Sequence, residues 1–554
     1  MTLKIHNVLT NVVGRTKTER LVSKDVWLGE VLPAAQSLLK QNAKSHQALI
    51  GKWVVSLLCN DEHMHEFFIK NWRPAPANAE AQIQCYVING VKDRAAMMAM
   101  LGLKSDQDLR AHRDGFLKAL EDKKFRAGLK DPKLSGIEKY TDTEQIEIAL
   151  FSPATVYCSE TYSFLTLNTN YYGQLKSKSS LGPLEEYLIR KAKFVDVDEF
   201  ANPGEVWLSM HAGSNEYITE KKEKRGIVII APTGTGKSTH GYGLVEAKKE
   251  NRLHSDDWVF VNVGTREVLI SEKQFYMRTN IAEIYPHLIP MLVNQPLENV
   301  AFTPDIVALI ESFKSPEDLA AAFKDGRVTQ EQYGKIVAQM VENNSARSLI
   351  DPRLMVGDKF IEQTFMTDIF LMKRDYDTAM IVQRIDENKM IEIMTSKGNV
   401  FNYAYGKVDP DGYGIPQSRT TEIYYNPYLC DCRVDMENGI VGPLDKIRIE
   451  AYKTLARHKG VRLAWMNTRL PASQMQICIR KYLEEDYSLI EVKKGEVESS
   501  LLQKLKLTAR KKDAVEGRRA MDLTGFYEAQ GREMEIIAFY KDGKLADAAA
   551  FPKS

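Results

Sequence analysis

Cysteine is scarce in this chain, six residues in 554, and the six are scattered at Cys59, Cys85, Cys158, Cys430, Cys432 and Cys478. Only Cys430-Asp431-Cys432 is close-spaced, and a single intervening residue is not the spacing of a zinc site. The scarcity argues against a disulfide framework and leaves reduced thiols as the expected state. Long apolar runs are missing as well. No stretch reaches about 18 uncharged apolar residues, so no membrane-spanning helix is expected. The opening segment, MTLKIHNVLTNVVGRTKTERL, carries charge where a secretory leader has an apolar centre, and a cytoplasmic protein is the expectation. An excess of one charge is also absent. Lys+Arg number 75 against 74 Asp+Glu, a net charge of +1, so no global field recruits nucleic acid or an anionic membrane. Repeats and low-complexity tracts are absent too. What remains, 44% hydrophobic and 27% charged, is ordinary for a globular enzyme and long enough for two or three domains.

The chemistry is concentrated in Gly226 to Leu244, GIVIIAPTGTGKSTHGYGL. Ile227 to Ile230 reads as a buried strand, and it passes through Ala231-Pro232-Thr233-Gly234-Thr235-Gly236-Lys237-Ser238 into a segment that can be helical. A strand, a glycine-rich loop ending in Lys-Ser, and a helix form a phosphate-binding loop. Its glycines let backbone N–H groups turn inward around a polyphosphate, and the helix offers its positive end. Thr233, Gly234, Thr235, Gly236, Lys237, Ser238 and Thr239 make up the expected nucleotide-binding set. Lys237 adds charge between the β- and γ-phosphates, and Ser238 would hold a divalent cation. Ala231 stands where the general pattern has glycine, a mild departure. A chance glycine-rich turn is the bland reading, and the strand before and helix after it argue against that.

A second clue is Leu253-His254-Ser255-Asp256-Asp257-Trp258-Val259-Phe260, two acids between apolar runs. Adjacent carboxylates at a strand end are costly unless a cation or proton neutralises them. Loop and acid pair together point to a nucleotide–metal site.

Along the rest of the chain, Asp25 to Lys40 has helical spacing, Trp53 to Leu58 and Gln84 to Val91 read as strands, and Asp106 to Arg126 as exposed helix. Tyr162 to Leu167 is strand-like. From about 205 to 490 strands alternate with helices at Ser315 to Lys324, Thr329 to Glu342 and Leu444 to His458. A basic patch, Lys504 to Arg519, and a hairpin within Glu535 to Ala549 follow. The expected division is 1–204, 205–490 and a C-terminal extension, 491–554.

In that order the pieces resemble the ATP-dependent phosphoenolpyruvate carboxykinases, distantly, over most of residues 10 to 485. His65-Glu66-Phe67-Phe68-Ile69-Lys70-Asn71-Trp72-Arg73-Pro74 and Tyr86-Val87-Ile88-Asn89-Gly90 resemble the family's N-terminal domain. Tyr171-Tyr172-Gly173-Gln174-Leu175-Lys176 resembles its Tyr-Gly-Gly-Glu-Met-Lys-Lys element, Ser209-Met210-His211 its Met-His, and Ser255-Asp256-Asp257 its Gly-Asp-Asp. The resemblance implies an α/β, two-lobed fold: a substrate-side N-terminal domain and a P-loop domain that binds nucleotide and metal. It implies ATP, Mg²⁺ and Mn²⁺, with oxaloacetate or phosphoenolpyruvate as the small-molecule substrate.

By the same resemblance, His211 and Asp257 hold a metal ion with Lys176 or Lys178, because the second of the family's paired lysines falls on Ser177. Arg347, in Asn344-Ser345-Ala346-Arg347, approaches the γ-phosphate, Arg15 clamps a substrate carboxylate, and Tyr171 sits beside the substrate. Asp256, next to Asp257, is a further catalytic candidate that supports the site from behind it. The family's C-terminal Gly-Thr-Gly-Lys-Arg element near the base is absent and is replaced around Asn467-Thr468-Arg469-Leu470-Pro471. Two rivals share the loop and the acids. One is a kinase of a protein serine or small alcohol, with Asp256 as base, and the other a non-catalytic nucleotide-binding module. Taken singly, His211 reads as a hydrogen-bonded core histidine, Arg15 as a surface arginine and Arg347 as a helix cap.

Overall fold

The computed structural model describes residues 2–8, 18–40, 43–127, 139–168, 182–196, 199–231, 235–342, 346–374, 378–395, 443–493, 499–509, 527–529 and 532–552. The chain is mixed α/β with several sheets. Among the described residues no helix is long and apolar enough to cross a membrane. The described residues divide into two compact units. One takes 1–209 and 269–358, the other 210–268 and the described residues from 359 onward.

The first unit is built on a seven-stranded sheet. Trp53–Cys59 lies near its middle, paired antiparallel with Lys44–Ile50 and parallel with Ile83–Ile88. Gly51, at φ +59°, makes the tight return between the first two, a conformation a side chain disfavours. Ser163–Leu167, Ala154–Cys158 and Thr18–Leu21 extend the sheet in that order. Trp27, Val31, Leu39, Met97, Met100 and Leu150, from the helical segments Trp27–Val31, Leu32–Leu39, Arg94–Leu101 and Asp142–Leu150, bury one of its faces. A smaller sheet in this unit orders Asn7–Val8, Leu297–Glu298, Arg347–Ile350 and Phe275–Arg278. Helices Pro316–Asp325 and Gln330–Val341 start on the side-chain caps Ser315 and Thr329, the second a full capping box with Gln332.

The second unit carries the phosphate-loop strand, Lys224–Ile230, in a sheet of eleven strands among the described residues. Arg252–Ser255 and Ala212–Ile218 lie to one side. To the other come Asp368–Lys373, Arg462–Asn467, Met380–Ile385, Leu489–Val492 and Arg532–Lys541. Lys224–Ile230, Asp368–Lys373 and Arg462–Asn467 run parallel. Such strands are covered on both faces and read as continuous apolar runs, as Ile227 to Ile230 does. Helices Lys237–Ala247 and Ala472–Glu485 cover one face through Leu244, Met475, Ile479 and Tyr482. The expected hairpin is present: Arg532–Lys541 pairs with Lys544–Pro552 around Asp542 and Gly543, both at positive φ. Through Ile537 and Phe539 it joins the core that holds the loop strand, so the hairpin within 491–554 belongs to this sheet.

Candidate phosphate and metal site

Ile230 is fully buried at the end of its strand, and Ala231 follows at 2% exposure. Residues 232–234, which include Thr233 and Gly234, lie outside the described residues, as do Arg15, Tyr171, Lys176 and Lys178. The loop re-enters at Thr235, which is buried. Gly236 then takes φ +96° at the N-cap of Lys237–Ala247. A Cβ at Gly236 would lie 3.0 Å from the His240 ring, so this position needs glycine for both conformation and space. Ser238 and Thr239 occupy the first helical turn, where N–H groups have no partner within the helix.

Lys237 does not point into solvent. Its Nζ donates to Asp257 Oδ1 at 2.5 Å, and His211 Nε2 donates to the same oxygen at 2.9 Å. Three elements meet here. His211 sits between the strands Trp207–Met210 and Ala212–Ile218, Asp257 between Arg252–Ser255 and Val259–Asn262, and Lys237 opens the loop helix. Their side chains are 18%, 29% and 11% exposed, which leaves the carboxylate the most accessible of the three. The His211 imidazole stacks on Trp258, ring centroids 5.5 Å apart and planes 21° apart. The stack sets the plane of the ring, and the contact with Asp257 sets which nitrogen faces the acid. Ser255 Oγ donates to the Trp258 carbonyl at 2.9 Å and closes the turn that carries both acids. Asp256 is 7% exposed.

One carboxylate oxygen that accepts from both an ammonium and an imidazole is a strongly polarised anion site. Gly213 makes the approach possible: a Cβ there would lie 3.1 Å from the Asp256 carbonyl and 3.3 Å from Lys237 Cγ.

A divalent ion fits this donor set in part. With its proton moved to Nδ1, His211 Nε2 could join Asp257 Oδ1 on one cation, a nitrogen and an oxygen donor of the kind Mn²⁺ accepts. Among the described residues no group of three or more His, Cys, Asp and Glu side chains gathers for a metal. The remaining donors would therefore be water, phosphate or a lysine.

Arg347 is in the other unit, on the strand Arg347–Ile350 and not at a helix end. Its guanidinium donates to the Ala346 carbonyl at 2.9 Å and lies 5.7 Å from the centre of the Tyr276 ring. Across the ladder Arg347 faces Arg278 on one side and Glu298 on the other. Tyr276 Oη is hydrogen-bonded to Glu298 Oε2. Like charges directly opposite on neighbouring strands are destabilising. Arg278 is a residue that the sequence reading does not single out. Only strand register pairs it with Arg347, whereas Trp258 adjoins the acid pair in the chain and is legible as its neighbour.

Compared with known proteins, the chain matches no family model and no curated sequence.

Proposed function

We propose that this chain is an enzyme of ATP-dependent phosphoryl transfer that works through a phosphate-binding loop. Within that class the reading the site supports best is a phosphoenolpyruvate carboxykinase. The observation that carries it is the convergence of Lys237 and His211 on the Asp257 carboxylate at the start of the loop helix. A kinase of simple alcohols needs the lysine and a base. It does not need a second metal ion held by His211 and the same acid, whereas a reaction that builds an enolate gains from a cation at the enolate oxygen.

In that reaction the bond from oxaloacetate to its departing carboxyl group breaks, CO₂ leaves, and the electron pair becomes an enolate. The enolate oxygen then takes the γ-phosphoryl group, and the bond to ADP breaks. Lys237 offsets charge on the phosphate oxygens, and the first turn of Lys237–Ala247 offers its N–H groups to them. Ser238 is the residue for the Mg²⁺ that travels with ATP. A Mn²⁺ or Mg²⁺ held by His211 and Asp257 would supply Lewis-acid stabilisation of the enolate oxygen.

The test is Mn²⁺-dependent formation of phosphoenolpyruvate and ADP from oxaloacetate and ATP. Activity that disappears in Lys237→Ala supports the reading. ATP turnover with alcohols or serine peptides and none with oxaloacetate would move the chain to the kinase class.

A further inference from the structure

The segment that stands where the carboxykinase family has its base-binding element is occupied with other work. Asn467, fully buried, donates from Nδ2 to the Met380 carbonyl at 3.0 Å. Arg469 donates to the Thr378 carbonyl at 2.9 Å and pairs with Glu535 at 3.3 Å. Between them Thr468, 2% exposed, turns its hydroxyl to the carbonyl of Thr235 in the phosphate loop at 2.7 Å. The Thr468 backbone N–H meanwhile donates to the Lys373 carbonyl at 2.8 Å, at the end of the neighbouring strand. Lys373 O also lies 3.2 Å from the Thr468 hydroxyl, but that oxygen already has the N–H, and the shorter contact is to the loop.

A second brace comes from the helix Ala472–Glu485. Gln476 Nε2 donates to the His240 carbonyl at 2.9 Å and lies 3.3 Å from His240 Nδ1. A ring that accepts at Nδ1 keeps its proton on Nε2, the edge that packs against Gly236. Burial, with the positive charge of Arg374 as a lesser cause, pushes the His240 imidazole down to about 3, so it stays neutral there.

A loop that binds polyphosphate through N–H groups must turn its carbonyls the other way. A buried carbonyl also needs a donor, or its desolvation destabilises that very orientation. We propose that Thr468 and Gln476 are positioning residues for the phosphate loop: they anchor the outward carbonyl of Thr235 and the imidazole behind Gly236, and so hold the loop N–H groups toward a polyphosphate. The inference rests on the polyphosphate-binding reading above and deepens it. The C-terminal segment thereby serves the phosphates of the nucleotide and not its base.

The test is calorimetric titration of the full chain with ATP, GTP and inorganic tripolyphosphate, each with Mg²⁺. In Thr468→Val the Kd of all three should rise by a common factor of about tenfold, as expected for one lost hydrogen bond. Thr468→Ser, which keeps the hydroxyl, should restore affinity. Gln476→Asn, one methylene short of the His240 carbonyl, should show the same base-independent loss, and it serves if Thr468→Val does not fold. An unchanged Kd in a folded variant, even with a lowered Tm, would overturn the proposal. A loss confined to ATP would also overturn it and assign a base contact. If the wild-type chain binds none of the three probes, this proposal and the loop reading fall together. Binding with the predicted variant effects but no phosphoenolpyruvate formation removes only the carboxykinase reading.

Discussion

Asp257 carries one carboxylate for two neighbours, the Lys237 ammonium and the His211 imidazole, and its substitution separates binding from chemistry. Asp257→Asn keeps the shape and removes the negative charge. Phosphoenolpyruvate formation should then fall by roughly a hundredfold or more, since a Lewis-acid contribution is worth several kcal/mol and each 1.4 kcal/mol is about tenfold in rate. ATP–Mg²⁺ should still bind through Lys237 and Ser238. His211→Gln should lose less, because an amide oxygen partly replaces an imidazole around a hard ion. The check is the Mn²⁺-dependent rate measured beside ATP affinity for each variant. Near-normal turnover in Asp257→Asn would make the acid pair structural. The sequence already offers Lys237, His211 and Asp257 as candidates, but not their sharing of one oxygen. That follows from the turn at Ser255 and the Trp258 stack, which lie between and beside them.

The elements that bring the site together approach more closely than most packing allows. The strand Ala212–Ile218 passes the loop helix through Gly213, next to the lysine stem. A methyl there fits only if the Asp256 carbonyl and the Lys237 stem both give way, and a small misplacement of a reacting group is expensive. Gly213→Ala should therefore cost roughly ten- to a hundredfold in turnover, with a modest change in Tm. The control is Gly334, in the helix Gln330–Val341, where an added Cβ meets nothing within 4 Å. Gly334→Ala should leave activity alone and stabilise by up to about 1 kcal/mol through helix propensity. Equal activity in both variants would show that the close approach has no part in the site. Such elements are readable one at a time, as an apolar run for Ile227 to Ile230 and as helical spacing for Thr329 to Glu342. Their partners are not: Ile227 pairs with Asp368 across a gap that no local pattern spans, and a buried strand's apolar run carries no label for its neighbour.

At the scale of the whole molecule the chain leaves the loop-bearing unit after residue 268 and returns at 359. Composition has no marker for that excursion, since both segments alternate strands and helices. The hairpin near the C-terminus was legible from its turn, but its place in the loop strand's sheet was not. This second unit also buries His240 and His254, whose imidazoles burial pushes from 6.5 down to about 3 and about 4. Between those values and 6.5 the unfolded chain binds protons that the fold refuses. Stability therefore falls as the pH drops below about 6.5, by up to about 1.4 kcal/mol per pH unit for each histidine. Tm recorded from pH 8 to pH 5 should decline on the acid side, and His254→Gln should flatten that decline. A slope unchanged by the substitution would contradict the assignment. The most direct measurement of what the molecule does is product analysis with oxaloacetate, ATP and Mn²⁺. Phosphoenolpyruvate, CO₂ and ADP should appear in equal amounts and vanish in Lys237→Ala, while ATP that binds and is never spent on oxaloacetate would contradict the carboxykinase reading.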